Sequence, residues 1–186
     1  MATYYSSIAN EQQPFLNFPG GGLTTQPNQF NDPGLEIGQV REVTAYYTMT
    51  GSELANDTIR LYLAQPGSMI DPTYSSVSTN GVGTTAVISV GDDDTTGTYL
   101  ITGTSGASAT RYASGLTVNA SVTAPIGFTG GASLNNPYQI GALAVEPQGS
   151  SAGTGVAGSW VYATFTTLTV PVAGQVLVFR LKVVKP

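Results

Sequence analysis

The stretch Ala55–Asp94, ANDTIRLYLAQPGSMIDPTYSSVSTNGVGTTAVISVGDDD, decides the fold class. Within it Ile59, Leu61 and Leu63 alternate with Arg60, Tyr62 and Ala64. That is the period of a half-buried strand, whose successive side chains point to opposite faces. Pro66-Gly67 suits the centre of a tight turn, because Pro presets φ and Gly tolerates positive φ. Ala86, Ile88 and Val90 then share one face, with Thr85 and Ser89 on the other. Gly91-Asp92-Asp93-Asp94 closes the unit with a run of charge that is expected not to continue into a buried sheet. The stretch reads as strand, turn, strand, Gly-rich turn, strand and acidic turn.

The same grammar extends outward. Upstream, Arg41, Val43, Ala45, Tyr47 and Met49 share one face, and Glu42, Thr44, Tyr46 and Thr48 the other. Gly51–Asp57 is the connection into the organising stretch, with room for no more than a brief helical turn at Ser52-Glu53-Leu54. Downstream, Thr98–Thr102 is a short strand, and Leu116, Val118, Ala120 and Val122 alternate cleanly with Thr117, Asn119, Ser121 and Thr123. Tyr138–Val145 reads as a further strand stopped by Pro147. Pro125–Pro137 and Gln148–Gly158 are Gly-rich loops. Two long strands close the domain, Ser159–Val170 and Gln175–Val184, joined as a hairpin through Pro171–Gly174. The second puts Leu177, Phe179, Leu181 and Val183 inward and Arg180 and Lys182 outward. About eight strands with turn signals between them and no convincing helix make an all-β chain. An antiparallel two-sheet sandwich, jelly-roll-like, is the expected closure.

Met1–Gly38 differs from the rest. It carries Pro14, Pro19, Pro27 and Pro33 and the triple Gly20-Gly21-Gly22, and its apolar residues follow no period. The expected organisation is an extended N-terminal arm over residues 1–38 and a β-sandwich domain over 39–186. An arm of this length spans ~120 Å when extended at ~3.3 Å per residue. A domain of about 150 residues, with a radius of gyration near ~15 Å, is much smaller. One reading of the arm is a frayed terminus. The other makes Tyr4, Tyr5, Phe15, Phe18 and Phe30 anchors that bury on a neighbouring chain, and a disordered tail has no use for those rings.

Composition limits the function. Of the 186 residues 41% are apolar, enough for a sizeable core, and only 9% are charged against a usual ~25%. The polar surface is therefore built from Thr, Ser, Asn, Gln and Gly, which are inexpensive to cover with another protein. The net charge of −5, with six basic residues, argues against nucleic-acid binding, which needs a basic footprint. There is no cysteine to form disulfides or thiolate metal sites. No run approaches the ~18 apolar residues of a membrane helix. The first residues have neither the basic nor the apolar region of a signal peptide.

Candidate chemistry is sparse. The chain has no histidine, which removes the commonest general base and every Ser-His or Cys-His nucleophile. Two carboxylates suffice for a glycosidase, but most acids here lie at turns, so no enzyme and no cofactor are expected. Asp92-Asp93-Asp94 lacks the alternating spacing, turn Gly and closing Glu of an EF-hand, so a solvated turn is preferred over a calcium site. The sequons at Asn56 and Asn119 are read as coincidental, and GGG and GTGVAG as turns rather than phosphate loops. Trp160, Tyr162 and Tyr138 form either core or a sugar-stacking platform, with core preferred.

Several blocks of the sequence resemble a group of small bacteriophage head decoration, or cement, proteins. They are VREVTAYYTMTGSELANDTIRLYLAQPGSMI, VSTNGVGTTAVISVGDDD, RYASG and TLTVPVAGQVLVFRLKVV, spanning Val40–Val184. The chain departs from that pattern after Asp94, at TTGTY, and in its longer, more aromatic arm. The resemblance implies a non-enzymatic virion protein, made in the host cytoplasm and bound to the outer capsid surface. Its implied partners are the major capsid protein and itself, as a homotrimer, with no nucleic acid and no membrane. The alternatives are a tail, baseplate or fibre-associated β module and, from another class, a carbohydrate-binding module using Trp160.

Overall fold

In the computed structural model, residues 1–9, 40–95, 97–101, 103–104, 106–126, 137–141 and 159–184 are described. Their strands are β1 (Thr3–Tyr5), β2 (Val40–Thr48), β3 (Thr58–Ala64), β4 (Met69–Asn80), β5 (Gly83–Asp92), β6 (Thr98–Tyr99), β7 (Gly103–Thr104), β8 (Ser108–Thr117), β9 (Ser121–Pro125), β10 (Tyr138–Gln139), β11 (Ser159–Pro171) and β12 (Val176–Val184). Two sheets face each other. The first runs β1-β3-β11-β5-β8. The second runs β2-β12-β4, and the far edge of the long β4 is shared. β9 pairs along Ser76–Asn80, while β10 pairs at Met69 and continues to β6 and β7. Every pairing is antiparallel except β1 with β3. The all-β, two-sheet sandwich read from the period is the observed class.

From β2 onward the chain keeps changing sheets. β3, β5, β8 and β11 lie in the first, and β2, β4, β9 and β12 in the second. Among the described strands only β6 and β7 are both consecutive in sequence and paired. The tight turns therefore cross between layers rather than fold hairpins. Pro66-Gly67 does form its turn, with the Ser68 amide donating to the Gln65 carbonyl at 3.1 Å, but it carries the chain from β3 in one sheet to β4 in the other. The expected hairpin through Pro171–Gly174 is likewise not one. β11 already has β3 and β5 on its two edges, and β12 has β2 and β4, so neither has an edge left for the other.

The period predicts burial well where pairing is regular. Ala45, Tyr47 and Met49 are buried with Ile59, Leu61, Val77, Ala86, Ile88, Val90, Leu177, Phe179, Leu181 and Val183 in one core between the sheets. In β3 the phase slips, so that Ala64 is buried and Leu63 only half-buried, because a bulge opposite Val161/Tyr162 shifts the register with β11. The strand expected over Leu116–Thr123 is two. β8 stops at Thr117 and β9 starts at Ser121 in the other sheet, with Val118 buried and Ala120 exposed where the chain crosses. Of Thr98–Thr102 the described strand is Thr98–Tyr99, and of Tyr138–Val145 it is Tyr138–Gln139, residues 102 and 142–145 lying outside those described. Ser52–Leu54 is not helical. Its Glu53 carboxylate accepts from the Thr50 and Gly51 amides at 2.6 and 2.9 Å, which organises an open loop instead.

The expected arm begins inside the fold. Thr3–Tyr5 lies against Thr58–Arg60 as β1, the Thr58 amide donates to the Ala2 carbonyl at 2.9 Å, and the Ser6 hydroxyl to the Leu61 carbonyl at 2.8 Å. These bonds cover an edge of β3 that would otherwise be open. Residues 10–38 of the expected arm, with Gly20-Gly21-Gly22, residue 39 and the Gln148–Gly158 loop lie outside the described residues.

Candidate functional site

The acidic run that the sequence reads as a solvated turn is instead a buried, hydrogen-bonded cluster. Asp92 and Asp94 are both 0% exposed. Because successive residues of an extended chain point to opposite sides, the three carboxylates reach different strands. Asp92, the last residue of β5, accepts through Oδ2 from Arg111 Nε at 2.7 Å and from the Tyr112 hydroxyl at 2.6 Å, both on β8. Its Oδ1 accepts from the Asp94 amide at 3.2 Å. Asp93 faces the other way and accepts from the Trp160 amide of β11 at 2.7 Å. Asp94 accepts through Oδ2 from the Tyr138 hydroxyl of β10 at 2.9 Å and from the Gly141 amide at 2.8 Å.

Arg111 lies at the centre. Its Nη2 donates to the Gly106 carbonyl at 2.6 Å, and its guanidinium lies 3.5 Å from the Tyr138 ring centroid and 5.3 Å from that of Tyr99. The two rings meet edge to face at 5.0 Å. Two glycines make room for the cluster. A Cβ on Gly91 would run into the Ser108 carbonyl oxygen, and one on Gly97 into the Asp94 carboxylate, the Gln139 carbonyl and the Tyr138 hydroxyl.

Burial pushes the Asp92 carboxyl up, against the opposing pull of Arg111 and Tyr112. Burial also pushes the Tyr112 hydroxyl well above its ordinary value, reinforced by the Asp92 charge. The same holds for Tyr138, which burial and its bond to Asp94 raise despite Arg111. Arg111 is raised overall: burial works against its charge, but the bond to Asp92 outweighs that. Arg111, Tyr112 and Tyr138 therefore keep their protons. The cluster also answers the calcium reading, because the position beside Asp92 where a cation would sit is filled by the guanidinium. Among the described residues no group of three acids is placed to hold a metal. Chemically this is a clamp binding β5, β8, β10 and β11 at one end of the sandwich.

The aromatic anchors are placed as follows. Tyr4 is half-buried with its ring 5.7 Å from that of Tyr47. Tyr5 meets Trp160 edge to face at 6.3 Å, and Arg60 lies 5.6 and 5.0 Å from the Tyr5 and Trp160 ring centroids. Both tyrosines thus pack on their own domain. Phe15, Phe18 and Phe30 lie outside the described residues. Trp160 is 2% exposed and Tyr138 0%, so neither ring offers a face for sugar stacking, in line with the core reading.

The structure also displays apolar surface that the sequence reading missed. Leu100 and Ile101, at the tip of the β6–β7 hairpin, are 53% and 70% exposed. Beside them lies a cavity of about 240 Å³ lined by Met69, Ile70, Asp71, Pro72, Thr73, Pro137 and Val184. The available signal was the run Tyr99-Leu100-Ile101, since three consecutive apolar residues cannot all point inward from a strand. The outer faces of both sheets are otherwise rich in hydroxyls, with Thr85, Thr117, Thr167 and Thr169 on one and Thr48, Ser76 and Ser78 on the other. Glu42 with Lys182 at 2.7 Å and Arg180 at 4.0 Å is a surface ion cluster on the second face.

No family model and no curated protein matches the chain. Two solved structures are similar. One is a cyanophage Pam1 capsid asymmetric unit, 17% identical over 91% of this chain and 100% of that one, with a TM-score of 0.49. The other is the capsid of Ralstonia phage GP4, 13% identical over 100% of this chain and 99% of that one, with a TM-score of 0.47.

Proposed function

We propose that this chain is a structural virion protein, a decoration or cement protein that binds the outer surface of a phage head and braces contacts between major capsid protein subunits. The observation that carries the reading is where the resemblant blocks fall. VREVTAYYT is β2, TIRLYLA is β3, GTTAVISVGD is β5, RYASG lies in β8, and TLTVP and VLVFRLKVV lie in β11 and β12. With β4 and β9 these form four-strand paths, β2-β12-β4-β9 and β3-β11-β5-β8, which alternate between sheets as a jelly roll does. The blocks are thus the framework of one closed fold and not scattered short matches.

The surface supports the same reading. Hydroxyl-bearing faces with few charges are covered by a neighbouring protein at a lower desolvation cost than charged faces, provided the hydroxyls find hydrogen-bond partners. Repetition of modest contacts over a shell adds up through multivalency. The polar cluster, the usual place to look for chemistry, is buried and hydrogen-bonded across four strands, which favours a bracing role over a catalytic one. In this reading Phe15, Phe18 and Phe30 contact neighbouring subunits, while Tyr4 and Tyr5 root the N-terminal segment on its own domain, and the protein acts as a homotrimer.

The test is location and consequence. Antibody labelling of intact virions is expected to mark the head exterior, and shells lacking the protein are expected to rupture at lower temperature and regain resistance when it is added back. Label confined to the tail would replace this reading with the tail or baseplate module. Absence from virions would refute both.

A further inference from the structure

Asp57, at the entry to β3, is a buried carboxylate without a cation. It is 3% exposed. Its Oδ1 accepts from the Ala2 amide at 2.5 Å and its Oδ2 from the Leu54 amide at 2.9 Å. Among the described residues no lysine or arginine pairs with it. The nearby Glu53, 0% exposed, is likewise bonded only to neutral donors, from Tyr47, Thr50 and Gly51. Carboxylates buried this deeply ordinarily have a cation beside them.

One nitrogen already in contact with Asp57 can become that cation. Ala2 is fixed by strand pairing, since the Thr58 amide donates to its carbonyl at 2.9 Å and Thr3 lies opposite Thr58. Met1 is 89% exposed, so the bond joining it to Ala2 lies at the surface, and its own amino group acts on Asp57 only through its charge. We propose that the Met1–Ala2 bond is a processing site, and that its hydrolysis delivers the Ala2 α-ammonium to the Asp57 carboxylate as an ion pair fastening β1 to the sandwich. The oxygen of the water ends on the Met1 carboxylate and its two protons on the Ala2 nitrogen. The catalyst is a peptidase of the producing cell, an aminopeptidase where Met1 is terminal and an endopeptidase where residues precede it. The ammonium keeps the hydrogen bond that the amide makes, now with charge on both partners. Only an exposed side chain is given up.

The pair has a pH signature. The titratable groups around the new amine are Asp57, Tyr4, Tyr47 and Glu53. Burial pushes the Asp57 and Glu53 carboxyls up, but their hydrogen-bond donors outweigh it and hold both below their ordinary values. Burial pushes the Tyr47 hydroxyl up. Asp57 therefore stays charged, and Tyr47 protonated, where an α-amine titrates, ordinarily near ~8. Beside Asp57 the Ala2 ammonium keeps its proton to higher pH. Its contribution to stability is full below the unfolded value and is lost as pH rises through the folded one.

The test uses the full chain purified from cells that express it. Its intact mass is expected to be that of a chain starting at Ala2. Followed by NMR through the Ala2 methyl group, the α-amine is expected to titrate about one pH unit or more above the ordinary ~8 in the folded chain. It is expected to return to that ordinary value in urea, and in Asp57→Asn where circular dichroism shows that variant folded. A mass that retains Met1 or shows Ala2 acylated would overturn the inference. So would an amine with one titration midpoint in the folded chain and in urea, a comparison that needs no variant. A folded Asp57→Asn chain whose amine titrates as in wild type would overturn it as well.

Discussion

Replacing Asp92 with asparagine isolates the energetic core of the clamp. The substitution keeps the side chain's size but removes the charge facing Arg111, whose side chain, like that of Asp92, is 0% exposed. The guanidinium then keeps its Gly106 carbonyl and the Tyr138 ring, but no counter-charge. Its Nη1 already has no hydrogen-bond partner among the described residues. Breaking a buried pair from one side costs about 3–5 kcal/mol, because the remaining ion stays desolvated. Against a total stability of about 5–15 kcal/mol that is a large fraction, and it lowers Tm by roughly 6–20 °C for a chain of this size. Urea unfolding followed by Trp160 fluorescence is a suitable assay, since Trp160 is the single tryptophan and its amide is bonded to Asp93. The double replacement Asp92→Leu with Arg111→Met is expected to be more stable than either single variant, because it removes both charges together. A loss below about 1 kcal/mol for Asp92→Asn, or strictly additive single and double variants, would refute the clamp as an energetically coupled unit.

Other perturbations test separate parts of the molecule. Gly97→Ala is expected to cost about 1–3 kcal/mol, read from the urea midpoint, because its Cβ meets the Asp94 carboxylate and the Tyr138 hydroxyl. Val170, with φ of 48° and 69% exposed, holds a β-branched side chain in the left-handed region. Val170→Asn is therefore expected to raise stability by about 1 kcal/mol, and an unchanged or lower Tm would contradict the strain argument. Burial alone would raise the Glu53 carboxyl, but donors from Tyr47 and Thr50 hold it below its ordinary value of 4.5. A depressed carboxyl stabilises the fold fully above its unfolded pKa and loses that contribution as pH falls through the folded value. Wild type should thus lose more stability than Glu53→Gln between neutral pH and about pH 3, and parallel stability–pH curves would exclude the role.

The class of this fold was legible because burial on one face of a strand is a local property. Leu177, Phe179, Leu181 and Val183 announce an inner face whatever strand lies beside them, and the structure buries all four. Low charge and the absence of histidine and cysteine likewise narrowed the chemistry from composition alone. Partner choice was not legible, because backbone amides and carbonyls are the same at every residue and do not encode which strand they bond. Pro171–Gly174 has hairpin chemistry, yet both edges of β11 and β12 are taken by strands far away in sequence. Nor was the fate of Asp92-Asp93-Asp94. A bare carboxylate belongs in water, and only the fold brings Arg111, Tyr112, Tyr138 and the Trp160 amide close enough to offset its desolvation. The alternation of side chains determined what is inside, and the tertiary structure decided which residues meet there.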